Sequence, residues 1–197
     1  MNLLNRRKCT DGMRFLARIR TWELRQRNAL FRRRKPAKID RARRVGYKAK
    51  KGFVIFSCKV RRGGRKKPNG KGIVYGKPTN HGINERKLRM SHQALAEVRV
   101  GKRCGDLRVL NSYWVAEDAT YKWFDVIMVD PFHKQIRNDP RLNWICRGRE
   151  KHREMRGKTA CGKKYRGIKK GMRYSQNVPS KFAVWKKHNT LRLKRYR

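Results

Sequence analysis

Acidic residues are scarce in this chain. Only 13 aspartates and glutamates stand against 57 lysines and arginines among 197 residues, giving a formal net charge of +44. A compact domain with this surface charge would repel itself. Because nucleic acids are the usual polyanions that neutralise such charge, the composition predicts a nucleic-acid-binding protein that is fully ordered only on its partner.

Long apolar runs and paired cysteines are also missing. No run approaches the roughly 20 apolar residues that span a bilayer, and residues 1–20 contain no apolar signal-peptide core. We therefore expect no membrane partner and a cytosolic or nuclear location. The five cysteines include no Cys-x-x-Cys pair, so no metal site or disulfide framework is indicated, and they are interpreted as small core or interface residues.

Patterns that indicate catalysis are absent as well. The glycines at 63, 64, 70 and 72 lack the Gly-Lys-Ser/Thr ending of a phosphate-binding loop. Glu117 and Asp118 are interpreted as turn or ion-pairing residues, as are Glu150, His152 and Glu154 within their basic surroundings. We expect no enzyme, no cofactor and no small-molecule substrate, although an RNA-processing enzyme using these carboxylates stays open as a rival.

The positive charge is unevenly distributed. Residues 1–84 contain 27 basic and 3 acidic side chains, residues 85–154 contain 15 and 10, and residues 155–197 contain 15 and none. This pattern predicts a basic helical N-terminal arm at 1–44, a globular body at 45–150 and a basic, irregular C-terminal tail at 151–197. The tail from 155 onward is expected to be disordered in the RNA-free protein.

Hydrophobic periodicity predicts both helices and strands. A helix is expected from Thr10 or Asp11 to about Phe31, with an apolar stripe that needs a protein partner and an arginine side that meets phosphates. A second helix is expected from Asn84 through Val100, with Leu88, Ser91, Leu95 and Val98 on one face and Gly101 as its stop. Strands are expected at 53–60, 107–115 and 121–130, and a short helix at 133–138. The last strand is apolar on both faces, which indicates a strand covered on both sides.

A basic, glycine-rich loop follows the first predicted strand. Residues 61–72 contain six basic side chains and four glycines. Glycine allows the backbone to approach phosphates closely, and the cations neutralise them. Composition alone leaves a ribosomal protein, a chromatin protein and an RNA-processing factor open, but arginines interleaved with aromatics and apolar strands favour structured RNA.

Short motifs along almost the whole chain resemble the eukaryotic and archaeal e-type family of large-subunit ribosomal protein fifteen. They are MRFL at 13–16, RRVGYKAK at 43–50, VRRGGRK at 60–66, YGKP at 75–78, HGIN at 81–84, LRVLNSYWV at 107–115, DPFH at 130–133, KHREMRG at 151–157, NTL at 189–191 and RYR at 195–197. The chain departs from the family in a shortened aromatic lead at its start and in residues 172–181, which lack a His- and Gly-rich pattern.

The resemblance implies an α+β fold, with a small, mostly antiparallel sheet, packed helices and long basic extensions. It implies a non-enzymatic constituent of the large ribosomal subunit that supports cytoplasmic translation, bound to large-subunit rRNA and neighbouring ribosomal proteins. The protein would not be a homo-oligomer and, in a eukaryote, would pass through the nucleolus during assembly.

The residues expected to contact RNA lie in the basic segments, where phosphate neutralisation and shape recognition would replace a base code. Stacking or 2′-hydroxyl contacts are expected from Tyr47 and His81. Phosphate contacts are expected from Arg14, Arg18, Arg43, Arg44, Lys48, Lys50, Arg61, Arg62, Arg65, Lys66, Lys77, Arg153, Arg156 and Lys163.

Overall fold

A four-stranded antiparallel sheet forms the centre of the protein, with strands in the order β1-β2-β4-β3. The computed structural model describes residues 10–73, 75–166 and 181–191. The strands are β1 (Leu30–Arg33), β2 (Phe53–Arg61), β3 (Arg108–Glu117) and β4 (Tyr121–Val129). The described helices are α1 (Asp11–Gln26), α2 (Ile39–Arg44), α3 (His92–Arg103), α4 (Lys134–Arg137), α5 (Ala160–Tyr165) and α6 (Lys181–Asn189), with 3-10 turns at Pro78–Asn80, Asn143–Cys146 and Gly148–Glu150. The predicted α+β class, its three longer strands and the short helix after His133 are confirmed.

Strand β4 is buried on both faces, as its sequence predicts. Phe124, Val126 and Met128 pack with Ala96 and Val100 of α3 on one side of the sheet. On the other side, Trp123 and Ile127 join a cluster that includes Leu24 of α1 and Ala42 of α2. The sheet is therefore enclosed between α3 and the N-terminal helices.

Helix α3 differs from its prediction in start, end and orientation. Its N-cap is Ser91, whose Oγ accepts a hydrogen bond from Ala94 N at 3.2 Å, so the predicted start at Asn84 is wrong. Residues before Ser91 are extended instead, because Ile83 and Arg86 accept backbone hydrogen bonds from the basic loop. The helix buries Ala96, Glu97 and Val100 rather than Leu95 and Val98.

Gly101 lies within this helix and does not end it. A Cβ at Gly101 would collide with the carboxylate of Glu154, so the missing side chain makes room for a buried acid. The helix continues to Arg103.

The first helix is shorter than predicted. It ends at Gln26, and Leu30 and Phe31 pair with Cys58 and Ser57 of β2 instead of extending the helix. Asp125, a fully buried carboxylate of β4, holds the end of β1 and the segment after it by hydrogen bonds. Asp125 accepts hydrogen bonds from Arg33 Nε at 3.0 Å, Ala37 N at 3.1 Å and the Tyr113 hydroxyl at 2.8 Å. The helix ends at Gln26 because the following residues pair with β2 and are held by the Asp125 carboxylate.

The segment after Glu150 is more regular than predicted. Thr159 caps α5 by accepting from Gly162 N at 3.2 Å, and Glu154, Thr159 and Cys161 are buried. The segment that was predicted to be irregular therefore contains one short helix, α5, which packs against α3. Most of the departing stretch 172–181 lies outside the described residues, and the division into arm, body and tail stays a prediction.

Cysteines are unpaired in the described part of the chain. Cys58 and Cys161 are buried, whereas Cys104 and Cys146 are half-buried. Cys9 lies outside the described residues. The prediction that cysteines serve as small packing residues is confirmed for these four.

Candidate nucleic-acid interface

Thirteen of the sixteen residues predicted to contact RNA have exposed side chains, and Tyr47, Lys48 and Arg153 are half-buried. Two groups of them lie at opposite ends of the sheet. Arg43 to Lys50 precede β2, and Arg61 to Lys66 follow it. Since a nine-residue strand spans roughly 27 Å, the two basic groups face separate parts of a partner.

The end of the sheet that lies near α2, called the α2 end below, carries basic side chains from two segments. Arg43 and Arg44 lie in the last turn of α2, where positive charge is favoured by the helix dipole. Lys48 and Lys50, in the following loop, reach Asp139 beyond α4, with Nζ–Oδ2 distances of 3.8 and 2.9 Å. Folding thus joins two stretches that are about 90 residues apart.

At the other end of the sheet, one turn connects α1 with the basic loop. Asp118 Oδ2 accepts from Arg25 of α1 at 3.0 Å, and its backbone carbonyl accepts from Arg62 at 2.7 Å. Arg14 and Arg18 belong to the same helix as Arg25. This turn therefore ties α1 to the base of loop 61–72.

Arg153 directs its guanidinium inward. NH1 donates to the carbonyls of Val109 and Leu110, at 2.9 and 3.2 Å, and the guanidinium lies over the Trp144 ring. Burial lowers the pKa of Arg153, against the opposing effect of Glu150. Its contacts support the edge of β3, so we leave Arg153 out of the interface that we propose below.

Three further predicted residues have partners within the chain. Tyr47 meets Phe53 edge-on, with ring centroids 5.8 Å apart, and packs on the cluster beneath α2. His81 Nε2 lies 3.3 Å from the Gly76 carbonyl in an exposed loop. Arg156 NH2 donates to the carbonyls of Arg149 and Lys151. Contact with RNA stays a prediction for all three.

Carboxylates of the body are engaged within the protein. Hydrogen bonds or ion pairs occupy Glu97, Glu117, Asp118, Asp125, Asp139, Glu150 and Glu154. Asp118 Oδ1 also accepts from Thr120 N at 2.8 Å, so the predicted turn and ion-pairing roles are confirmed. Most of these acids pair with basic side chains of the protein itself, whereas Glu97 accepts from the Ser112 and Thr159 hydroxyls.

The described residues contain neither a metal-binding cluster nor a membrane-spanning helix. Within 10–73, 75–166 and 181–191, no group of three His, Cys, Asp or Glu side chains is placed to hold a metal ion. In the same part of the chain, no helix combines the length and apolar character needed to cross a bilayer.

Sequence reasoning missed several exposed groups. Tyr75 is 94% exposed beside the exposed Ile73, at the far end of the loop that follows β2. Lys51 and Arg141 line the same cavity as Lys48 and Lys50. The exposure of Tyr75 depends on the conformation of its loop, and the position of Lys51 and Arg141 depends on contact between distant segments. Neither can be predicted from basic blocks in the sequence.

An apolar stripe on α1 faces away from the sheet. Phe15, Leu16 and Trp22 are 62%, 58% and 57% exposed, whereas Leu24 on the opposite side is 5% exposed. The helix thus buries one face in the body and presents a second, apolar face outward, as the sequence predicts.

The structure thus combines a small antiparallel sheet with cationic side chains at both of its ends. The chain belongs to the Ribosomal L15 family, whose profile it matches over residues 1–184. It is 56% identical over 194 residues to the protein named large ribosomal subunit protein eL15 of Neurospora crassa, covering 98% of this chain and 96% of that one. A Saccharomyces cerevisiae relative, eL15B, is 57% identical over 194 residues, with coverage of 98% and 95%. The relative in Anopheles gambiae is 56% identical over 195 residues, with coverage of 98% and 96%.

Proposed function

We propose that this protein is a structural constituent of the large ribosomal subunit that binds and stabilises large-subunit rRNA and thereby supports cytoplasmic translation. The observation that carries the proposal is the similarity to proteins named for the large subunit, which extends over nearly the full length of both chains. The net charge of +44 supports the same function, because it calls for a large polyanionic partner.

Binding has two parts in this proposal. The enclosed sheet provides a rigid body, and cationic groups at its two ends neutralise phosphates from different rRNA segments. Each neutralised phosphate adds about 0.7–0.9 to the slope of log affinity against log salt concentration. With many such contacts, affinity depends steeply on salt while a single substitution has a small effect. Shape, 2′-hydroxyls and the sugar–phosphate backbone replace readout of base edges.

Helix α1 contacts both rRNA and a neighbouring ribosomal protein. Arg14 and Arg18 lie on the flank toward phosphates, whereas Phe15 and Trp22 expose apolar area that a protein neighbour covers. The protein resides in cytoplasmic ribosomes, after passage through the nucleolus if its source is eukaryotic. We expect no catalytic step of its own, and its adjacent acids Glu117 and Asp118 pair with Lys122 and Arg25.

Sedimentation of the tagged chain from its own cells tests this function. We expect it to co-migrate with large subunits and translating ribosomes and to stay there after a moderate-salt wash. A variant with Arg43, Arg44 and Lys50 changed to Gln should be released at lower salt. A matched control with three exposed cations of α3 changed, Arg99, Lys102 and Arg103 to Gln, separates loss of this patch from loss of net charge.

Two outcomes would contradict the proposal. Complete release of the unmodified chain at moderate salt would indicate a loosely bound factor rather than a constituent. A peak only with precursor particles would indicate an assembly or RNA-processing factor, the function class that the sequence leaves open.

A further inference from the structure

An open cavity of about 810 Å³ lies at the α2 end of the sheet, between the loop before β2 and the segment after α4. Neither lining segment forms the cavity alone. Its walls are made by Lys48, Ala49, Lys50, Lys51, Gln135, Asn138, Asp139 and Arg141.

Asp139 organises the cations of this cavity. One of its oxygens, Oδ2, contacts both Lys50 Nζ and Lys48 Nζ, at 2.9 and 3.8 Å. Its other oxygen, Oδ1, accepts from Arg141 N at 3.0 Å. Because both ammonium groups contact the same oxygen, they lie side by side despite their mutual repulsion. The hydrogen bond from Lys50, followed by that from Arg141 N, lowers the pKa of Asp139, so the carboxylate stays ionised at neutral pH.

The cavity remains cationic after this pairing. Four basic side chains line it, and Asp139 is the single carboxylate among the lining residues. Paired ammonium groups and a guanidinium suit the oxygens of a phosphodiester, and Lys is a flexible point charge for phosphate. The amides of Gln135 and Asn138 add donors and acceptors that suit ribose hydroxyls or base edges.

We propose that this cavity binds a phosphodiester segment of an RNA strand, and that Asp139 is a positioning residue that holds Lys48 and Lys50 together for it. This inference rests on the proposed function, which supplies RNA as the partner. It adds a defined site and a role for an acid within a basic interface.

The proposal differs from net-charge attraction in a way that can be measured. If binding here depended only on charge, replacing any carboxylate by its amide would strengthen contact with RNA. If Asp139 positions the two lysines, Asp139→Asn weakens their local contact although it raises the net charge. Asn keeps the oxygen that accepts from Arg141 N, so the turn after α4 is preserved.

Acylation of individual lysines, quantified by mass spectrometry, measures this contact in the full chain. The probes are protein-free large-subunit rRNA and, separately, inorganic phosphate. With rRNA bound, we expect Lys48 and Lys50 to react severalfold more slowly than in the free chain. In Asp139→Asn most of this protection should be lost, while protection of Lys66 in the basic loop is kept. The matched control is Glu117→Gln, which removes the Glu117–Lys122 pair at the other end of the sheet and should leave Lys48 and Lys50 protected.

The outcomes separate the site from the function. Unprotected Lys48 and Lys50 beside a protected Lys66 would overturn the site and leave the proposed function standing. Absence of rRNA protection at every lysine would overturn the proposed function itself. Equal protection by inorganic phosphate would overturn the assignment to an RNA strand, and full protection in Asp139→Asn would overturn the positioning role. The measurement on the unmodified chain is decisive for the site even if a variant fails to fold.

Discussion

Thr159 donates a hydrogen bond to Glu97 Oε2 over 2.7 Å, although the two residues are 62 positions apart. The other carboxylate oxygen of Glu97 accepts from the Ser112 hydroxyl. One buried side chain of α3 thus joins β3 to the segment that leads into α5. This contact keeps the start of the C-terminal region against the sheet.

Removing the Thr159 hydroxyl should loosen that attachment. Thr159→Val deletes both the donor to Glu97 and the acceptor that caps α5, and we expect a loss of about 2–4 kcal/mol in the free energy of unfolding. Thr159→Ser keeps the hydroxyl and should recover most of the loss. Urea unfolding of the full chain at fixed salt measures both. A larger loss in Thr159→Ser than in Thr159→Val would mean that packing of the methyl group, rather than the hydroxyl, matters.

Glu97 should also make stability depend on pH. Burial raises its pKa above the ordinary range, although the Ser112 and Thr159 hydroxyls oppose this. A raised folded-state pKa means that the folded protein holds the proton more tightly, so this contribution is complete below the unfolded pKa and is lost as pH rises through the folded pKa. The groups facing Glu97 are Glu154, which raises its pKa further, and Arg153, which lowers it.

The comparison of wild type with Glu97→Gln isolates this effect from other titrating groups. Asp118 and Asp139 have lowered pKa values and give the opposite slope, but they are common to both proteins. We expect the stability of the wild type relative to Glu97→Gln to fall between the unfolded and the raised folded pKa. A difference that does not change with pH would show that Glu97 keeps one protonation state.

Gly101 and Gly12 form a matched pair of helical glycines. An added Cβ at Gly101 would meet the buried Glu154 carboxylate, whereas nothing lies within 4 Å of one at Gly12. We expect Gly101→Ala to destabilise the protein by about 1–3 kcal/mol, because overpacking outweighs the better helix propensity of alanine. Gly12→Ala should be neutral or stabilise by up to about 1 kcal/mol. Thermal unfolding of both variants at the same salt is the check, and a stabilised Gly101→Ala would mean that Glu154 moves aside easily.

Substitutions at Leu16 and Leu24 of α1 distinguish the contribution of this helix to folding from its contribution to docking on a partner. Leu24→Ala removes a buried contact and should cost about 2–4 kcal/mol of stability. Leu16→Ala should change the stability of the isolated chain by less than about 0.5 kcal/mol, because Leu16 is largely exposed. If a protein neighbour covers the stripe, Leu16→Ala should nevertheless reduce retention on large subunits during a salt wash. Unchanged retention would show that this part of the stripe is not covered there.

Local patterns were sufficient for the three longer strands, although not for β1. β2 and β4 are mostly apolar, and burial on both faces follows from apolar residues at both alternating sets of positions in β4. The turn at Asp118 could likewise be predicted, because its residues are adjacent in sequence.

The orientation of α3 could not be predicted in this way. Its apolar residues Leu95 and Val98 indicate one buried face, but the buried face contains Glu97, whose partners Ser112 and Thr159 come from two other segments. The same reason applies to the cavity, in which Lys48 and Asp139 meet only after folding. The predicted N-terminal helix was too long because pairing of Leu30 with Cys58 is a long-range contact.

The hydrogen bonds to Asp125 can form only after a delay during synthesis, because Asp125 is made much later than its partner Arg33. Arg33 leaves the translation machinery 92 residues before the carboxylate that it pairs with, and at about 5–20 residues per second that interval lasts roughly 5–20 s. During it, a nascent segment rich in arginine has neither its buried counter-ion nor the β4 side of its sheet. The protein therefore passes through a period in which any nearby polyanion can engage it before its own fold is complete.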